Sequence, residues 1–216
     1  IRLVTNIENE IDPSIPFVLV NPNNPDGKSF EPKYLDELLE KIRKANGFLI
    51  LDESFMDGTP DMSLRFDSCR DNVIVIRSFG KFFGLPGLRL GFVYGDNHYI
   101  NKVSRLVGPW PISSSSLLIA RKAMLDTVWI SATIADLKMK STALSNFLWD
   151  QKLKIVGDCY FFKTIEVDNA SQMHKALANH GIWTRIFNYN QKWLRMGLTK
   201  NKFEFEYLAN TIMDIS

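Results

Sequence analysis

Lys81 lies in the segment Arg77-Ser78-Phe79-Gly80-Lys81-Phe82-Phe83-Gly84-Leu85-Pro86-Gly87-Leu88-Arg89-Leu90-Gly91-Phe92. A serine stands three residues before it, an arginine eight residues after it, and four glycines are interspersed. A lysine amine is a nucleophile only when deprotonated, so it works best partly desolvated and near other positive charge. A guanidinium fork and short charge-assisted hydrogen bonds are good holders of a phosphate-like dianion. Glycines let a backbone come close to a ligand and take up dihedrals closed to other residues. A solvated surface turn of Gly, Pro, Lys and Arg would use the same letters, so the elements around the segment decide between the two readings.

Those elements alternate. Phe17-Val18-Leu19-Val20 reads as a short buried strand, ending at Asn21-Pro22-Asn23-Asn24-Pro25-Asp26-Gly27, where the Asn-Pro and Asp-Gly pairs signal a turn. Pro32 suits the first turn of a helix, and Leu35, Leu38, Leu39 and Ile42 follow at helical spacing up to Asn46-Gly47. Phe48 to Leu51 is a second strand that stops at Asp52-Glu53, and Val73 to Ile76 a third that runs into the Lys81 segment. Continuously apolar strands separated by a helix predict an α/β fold with a mostly parallel sheet covered by helices. In such sheets ligands bind beyond the carboxyl ends of the strands. Three successive strands end here in polar residues, at Asn21 to Asn24, at Asp52, and at Ser78 to Lys81.

Beyond the sheet, Pro109 to Ser116 reads as a loop that runs into a helix over Leu117 to Leu125. A long helix from about Val128 to Trp149 follows, able to bridge two lobes. Tyr160 to Val167, Ile182 to Phe187 and Trp193 to Leu198 read as strands, and Met173 to Ala178 and Phe203 to Met213 as helices. This α+β pattern predicts a small C-terminal domain, dividing the chain into a large cofactor-binding portion, 1–126, and an interdomain helix with the small domain, 127–216.

Composition narrows the class. With 216 residues and 45% hydrophobic content the chain can bury a substantial core. A net charge of +2, with Lys and Arg scattered, argues against nucleic acid or an anionic membrane as partner. No apolar stretch approaches membrane-spanning length, and Ile1-Arg2-Leu3-Val4 does not read as a signal peptide. Cys69 and Cys159 make no disulfide framework, so a cytoplasmic location is expected. His98, His174 and His180 lack metal-ligand spacing, and no metal is expected.

The whole set resembles the pyridoxal-phosphate-dependent aminotransferases of class I and II (fold type I). Asn21 to Gly27 looks like the family's Asn-Pro-x-Asn-Pro-Thr-Gly turn, with Asp26 in place of threonine. The resemblance implies that Lys81 forms a Schiff base with pyridoxal 5'-phosphate and then shuttles protons. It implies that Ser78 and Arg89 hold the cofactor phosphate, that Asp52 pairs with the pyridine nitrogen, and that Asn24 contacts the ring hydroxyl oxygen. Arg195, in Trp193-Leu194-Arg195-Met196-Gly197-Leu198, matches the arginine that grips a substrate carboxylate. Each has a plainer alternative: Asn24 as a turn residue, Asp52 as a cap, Arg195 as a solvated outward side chain. Phe82 and Phe83 are expected to pack rather than stack on a cofactor ring. A buried pair such as Asp52 with a pyridinium, about 3 Å apart at an effective dielectric of about 20, attracts by roughly 5 kcal/mol, and desolvation takes back part of it.

The cofactor supplies the electron sink, and the pocket selects the bond that breaks. Phe55, three residues after Asp52, stands where many aminotransferases of this fold carry tyrosine. Asp52 to Asp57, the Lys81 segment, Gly108-Pro109-Trp110 and Trp193 to Leu198 look most like the threonine-phosphate decarboxylases of cobalamin biosynthesis. That resemblance implies decarboxylation of L-threonine O-3-phosphate to aminopropanol phosphate by a homodimer. A transaminase acting on a phosphorylated amine such as histidinol phosphate is the alternative. Family members carry further strands, a phosphate-binding turn and a ring-stacking aromatic residue ahead of the matched region. Nothing before Phe17 looks like them, so the family's N-terminal part is expected to be absent, and a truncated non-catalytic remnant is a further alternative. A regulator with an aminotransferase-like sensor would need a helix-turn-helix module, and the sequence contains none that is recognisable.

Overall fold

The computed structural model describes residues 12–64 and 72–215. The expectations for Ile1 to Val4 and for Cys69 fall outside the described residues. Two compact units emerge. The first comprises the chain up to Asn21 together with Ser29–Leu125, and the second comprises Pro22–Lys28 with Asp126–Ser216.

In the first unit, β1 (Phe17–Val20), β2 (Leu49–Asp52) and β3 (Val73–Ser78) are parallel neighbours, and β4 (Gly91–Gly95) adds an antiparallel edge. The register pairs Phe17 with Leu49 and Leu49 with Val73, so the three parallel strands end together. Helix α1 (Pro32–Lys44) follows β1, with proline in its first turn and Lys41, Arg43 and Lys44 in its last, where cations favour the helix dipole. Its buried stripe, Leu35, Leu38, Leu39 and Ile42, packs on Leu19, Leu49, Leu51, Val73 and Val75 of the sheet. On the other face, Val18 is 62% exposed. Gly91 opens β4 because a Cβ there would lie 2.7 Å from the Arg77 carbonyl oxygen.

Helices α2 (Asn97–Val107) and α3 (Ser114–Leu125) complete this unit. The sequence reading lacked α2. Its signal was Asp96, whose carboxylate accepts from the His98 and Tyr99 amides at 2.7 and 3.1 Å as an N-cap.

The second unit opens with α4 (Thr127–Asp150) and continues with β5 (Lys154–Cys159), β6 (Phe162–Glu166), α5 (Ala170–Asn179), β7 (Arg185–Phe187), β8 (Asn190–Gly197) and α6 (Lys202–Ile215). The sheet order is β5-β6-β8-β7, all antiparallel. Leu144 and Leu148 of α4, Ile165, Leu177, Leu194, Met196, Leu208 and Ile212 form its core. Strand β5 had no sequence expectation, because Gly157 and Asp158 break its apolar pattern. The ladder is irregular between Ile155 and Gly157, and a Cβ at Gly157 would sit 2.5 Å from the Pro25 carbonyl oxygen. The glycine lets the Pro22–Lys28 turn lie against this strand.

Ile42 is fully buried and Glu37 exposed on the same helix. Ile42→Ala is expected to lower stability by about 2–5 kcal/mol, and Glu37→Ala by no more than about 0.5 kcal/mol. Urea unfolding monitored by circular dichroism separates the two. Equal effects would contradict the assigned core face.

Candidate active site

Four candidate residues belong to the carboxyl edge of the first sheet. Asp52 ends β2, and its Oδ1 accepts both from the Ser54 amide at 2.9 Å and from the Ser54 hydroxyl at 2.6 Å. The plainer capping role is therefore present. Both of these bonds converge on one carboxylate oxygen. Ser78 ends β3, and its Oγ accepts from the Gly80 amide at 3.1 Å, which leaves its own proton to donate.

Lys81 lies in the turn after β3 and is exposed. Its Nζ is 5.2 Å from the centroid of the Phe55 ring, a cation–π contact. Phe55 follows β2, so this contact folds the loop after one strand onto the loop after its neighbour. The amine is thereby drawn toward the segment that carries Asp52. Phe82 is buried and stands edge-on to Phe83 at 5.2 Å, and Phe79 lies 5.2 Å from Phe83. These rings pack on one another beneath the lysine turn.

Arg89 follows a short 3-10 turn, Pro86–Leu88, and has a left-handed backbone, φ 51° and ψ 41°. That conformation costs a non-glycine residue roughly 1–2 kcal/mol. Its guanidinium is exposed and reaches the Pro86 carbonyl oxygen at 3.3 Å. A strained arginine where glycine would be easier is a reason to look for an anion. An amine, a carboxylate, a hydroxyl donor and a guanidinium at one sheet edge are the donor set that a phosphorylated aromatic aldehyde with a basic ring nitrogen requires.

Two further candidates meet in the second unit. The turn carrying Asn24 is fixed by internal bonds, Asn23 Nδ2 to Asp26 Oδ1 at 2.8 Å and the Lys28 amide to the same oxygen at 3.0 Å. Asp26 thus does the turn-closing work at the position where it replaces threonine. The hydroxyl of Thr164 on β6 donates to the Pro25 carbonyl oxygen at 2.5 Å. Buried Lys163 is paired with Asp158 and donates to Ser141 Oγ at 2.7 Å, bracing the same hairpin. Asn24 Oδ1 accepts from a terminal nitrogen of Arg195 at 2.5 Å, and the Arg195 guanidinium lies 5.0 Å from the Phe162 ring centroid.

Sequence reading did not single out Arg185. It is the register partner of Arg195 across β7 and β8, so two cationic side chains share one face. Burial, and then the neighbouring Arg185 charge, lower the affinity of Arg195 for its proton. Like charges directly opposite on a sheet are unfavourable, and a bound anion relieves them. The signal available in the sequence was the alternation of Trp183, Arg185 and Phe187. At the end of β5, burial pushes the Cys159 thiol up to about 11, which disfavours the thiolate.

A second network went unnoticed in the sequence. Glu53 is fully buried, and its carboxylate accepts from the Ser63 hydroxyl at 2.7 Å and the Leu64 amide at 2.8 Å. Arg77 Nε approaches Glu53 Oε2 at 3.1 Å, a close ion contact without hydrogen-bond alignment. The Arg77 terminal nitrogens donate to Asp57 Oδ1 and to Ser63 Oγ, each at 2.8 Å.

The chain belongs to the class I and II aminotransferase family, whose family model matches residues 3–212. This is a family of pyridoxal-phosphate enzymes. A threonine-phosphate decarboxylase of Pseudomonas aeruginosa is 35% identical over 195 residues, covering 88% of this chain and 59% of that protein. A histidinol-phosphate aminotransferase of Hydrogenobaculum is 32% identical over 96% of this chain and 58% of its own length. Among solved structures, a putative histidinol-phosphate aminotransferase of Erwinia carotovora superposes with a TM-score of 0.83 at 23% identity, over 93% of this chain and 59% of the other. L-threonine-O-3-phosphate decarboxylase of Porphyromonas gingivalis gives 0.81 at 18% identity, over 95% and 66%. These likenesses of structure establish the fold. The chain spans about three-fifths of the length of these curated relatives. Among the described residues no cluster of His, Cys, Asp and Glu is arranged to hold a metal, and no helix is long and apolar enough to cross a membrane.

Burial pushes the Glu53 carboxyl up against the opposing pull of Arg77, and the Asp57 carboxyl likewise. The fold therefore holds the Glu53 proton to higher pH than the unfolded chain does. Stability linked to that proton is full below the ordinary glutamate range and is lost as pH rises through the raised value. In Glu53→Gln this loss is removed. Its stability relative to the parent is expected to improve from about pH 4 to about pH 7, measured by urea unfolding. A relative stability that falls over this range would contradict the buried, penalised carboxylate.

Proposed function

We propose that this chain carries the catalytic face of a pyridoxal-phosphate-dependent decarboxylase acting on L-threonine O-3-phosphate to give aminopropanol phosphate, in cobalamin biosynthesis. The observation that carries the reading is the Lys81 ammonium over the Phe55 ring, which sets the amine beside the segment led by Asp52. Sequence identity of 35% to threonine-phosphate decarboxylases of two bacteria favours this substrate over others in the family.

When bound, pyridoxal phosphate supplies an electron sink for the pair left at the substrate α-carbon. Lys81 would hold the cofactor covalently, and its amine is the group placed to carry the proton at the substrate α-carbon. Asp52 would hold a proton on the ring nitrogen through a charge-assisted bond. Ser78 and Arg89 would hold the phosphate, and Asn24, whose carbonyl oxygen accepts from Arg195, would offer its amide nitrogen to the ring oxygen. Arg195 receives the substrate carboxylate. Arg185, on the same face, supplies the second positive charge that a substrate with both a carboxylate and a phosphate calls for.

A homodimer is part of this reading, supported by the apolar surface of α3, where Leu118 is 67% and Leu125 68% exposed. Sedimentation equilibrium is expected to give twice the chain mass at micromolar concentration, and a monomer removes this part. The transaminase alternative draws on the histidinol-phosphate aminotransferase relatives.

One assay separates the two chemistries. With pyridoxal phosphate and L-threonine O-3-phosphate, carbon dioxide is expected without consumption of a 2-oxo acid. Strict dependence on 2-oxoglutarate would establish transamination instead. Lys81→Ala is expected to abolish both the visible absorption band of the bound cofactor and turnover. A band that survives this substitution would remove Lys81 from its role.

A further inference from the structure

Two candidate residues of the first unit adjoin charges withdrawn from solvent, one buried and one largely so. Asp52 is followed by Glu53, and Ser78 is preceded by Arg77. Side chains alternate along a strand, so Asp52 and Ser78 share one face of the sheet. Arg77 belongs to the opposite face, with Val73 and Val75, which are core. Glu53 succeeds Leu49 and Leu51 on that same core side. Two charges thus occupy positions where the pattern of both strands calls for aliphatic residues.

Burying charge is unfavourable, and well-packed hydrophobic residues often replace a buried ion pair without loss of stability. Stability is therefore a poor reason for this pair. Its geometry suggests another. The Glu53 amide donates to the Ile76 carbonyl oxygen at 2.9 Å, a backbone link between the ends of the two strands. Just beyond it, the Glu53 carboxylate meets Arg77 and also takes the Ser63 hydroxyl and the Leu64 amide. Arg77 in turn reaches Asp57 and Ser63. The loop between Glu53 and Leu64 is thus closed on itself and tied to β3. That loop includes Ser54, which holds Asp52, and Phe55, which underlies Lys81.

We propose that Glu53 and Arg77 are positioning residues. From behind the sheet they fix the spacing of Asp52 and Ser78 and hold the Phe55 ring under Lys81. The inference rests on the functional reading for its purpose, since the fixed spacing is that of a ring nitrogen from a phosphate. The arrangement itself is independent of that reading. A preorganised site needs such backing, because loops alone place side chains loosely.

Backbone hydrogen exchange, read by NMR on the full chain without cofactor, tests the arrangement directly. The Ser54 and Gly80 amides report on it, because they bond to Asp52 Oδ1 and Ser78 Oγ. In Arg77→Met both are expected to exchange about tenfold faster, while the core amides of Leu39 and Ile42 in α1 keep their protection. Glu53→Gln, which preserves shape, is expected to do the same and decides the matter if Arg77→Met does not fold. Unchanged Ser54 and Gly80 exchange would overturn the proposal. So would a proportional loss at Leu39 and Ile42, or failure of both variants to fold, since each marks a merely structural role.

Titration with pyridoxal phosphate, followed by visible absorption, tests the purpose. If the parent protein shows the band, Arg77→Met is expected to need about tenfold more cofactor for half saturation, and an unchanged titration overturns the proposal. If the parent shows none, the functional reading fails and the exchange result alone decides whether the pair positions this edge.

Discussion

The register of three parallel strands governs this molecule. Phe17, Leu49 and Val73 lie side by side, and from that alignment the strands run forward and end at one edge. The Asn21 amide bonds to the Asp52 carbonyl oxygen at 2.8 Å, and the Glu53 amide to that of Ile76 at 2.9 Å. A slip of one residue would send every side chain to the other face. Asp52 and Ser78 would then point into the core and Leu51 and Val75 away from it. The burial of Leu49, Leu51, Val73 and Val75 against α1 therefore fixes where the polar residues point. Chemistry at the edge is inherited from packing in the middle.

The same economy operates in the second unit. Asn24 and Arg195 are 171 residues apart in sequence and share a hydrogen bond. What brings them together is a turn held by Asp26 and received by β5 and β6 through Gly157 and Thr164. A short, stiff turn fits against a glycine, and the asparagine it presents meets an arginine whose neighbours Leu194 and Met196 are core. Arg185 on the next strand gives that arginine a like-charged companion, an arrangement that a doubly anionic ligand would stabilise.

Much of this was legible in the sequence where local signals agree with tertiary demand. Apolar runs of four residues bounded by turn letters gave β1, β2 and β3, and the 3.6-residue stripe with proline at its head gave α1. The chemistry-bearing residues stood out because strand ends concentrate polar side chains. What escaped notice broke local rules for reasons that only packing supplies. Gly157 interrupts β5 because another segment lies against it. Glu53 and Arg77 look like ordinary solvated charges, yet both lie at core-facing positions, and their partners Asp57, Ser63 and Leu64 are set by the loop's fold. Arg185 pairs with Arg195 through a register that depends on an irregular β7–β8 ladder. The antiparallel direction of β4 was likewise unreadable, since the apolar letters of Leu90-Gly91-Phe92-Val93 fit either sense.

Covalent mapping puts the central claim to its most direct test. The chain is incubated with pyridoxal phosphate, treated with borohydride to make any imine permanent, digested, and read by mass spectrometry. The account predicts the phosphopyridoxyl group on the peptide containing Lys81. Modification spread across exposed lysines such as Lys192 and Lys202, with Lys81 not favoured, would contradict it.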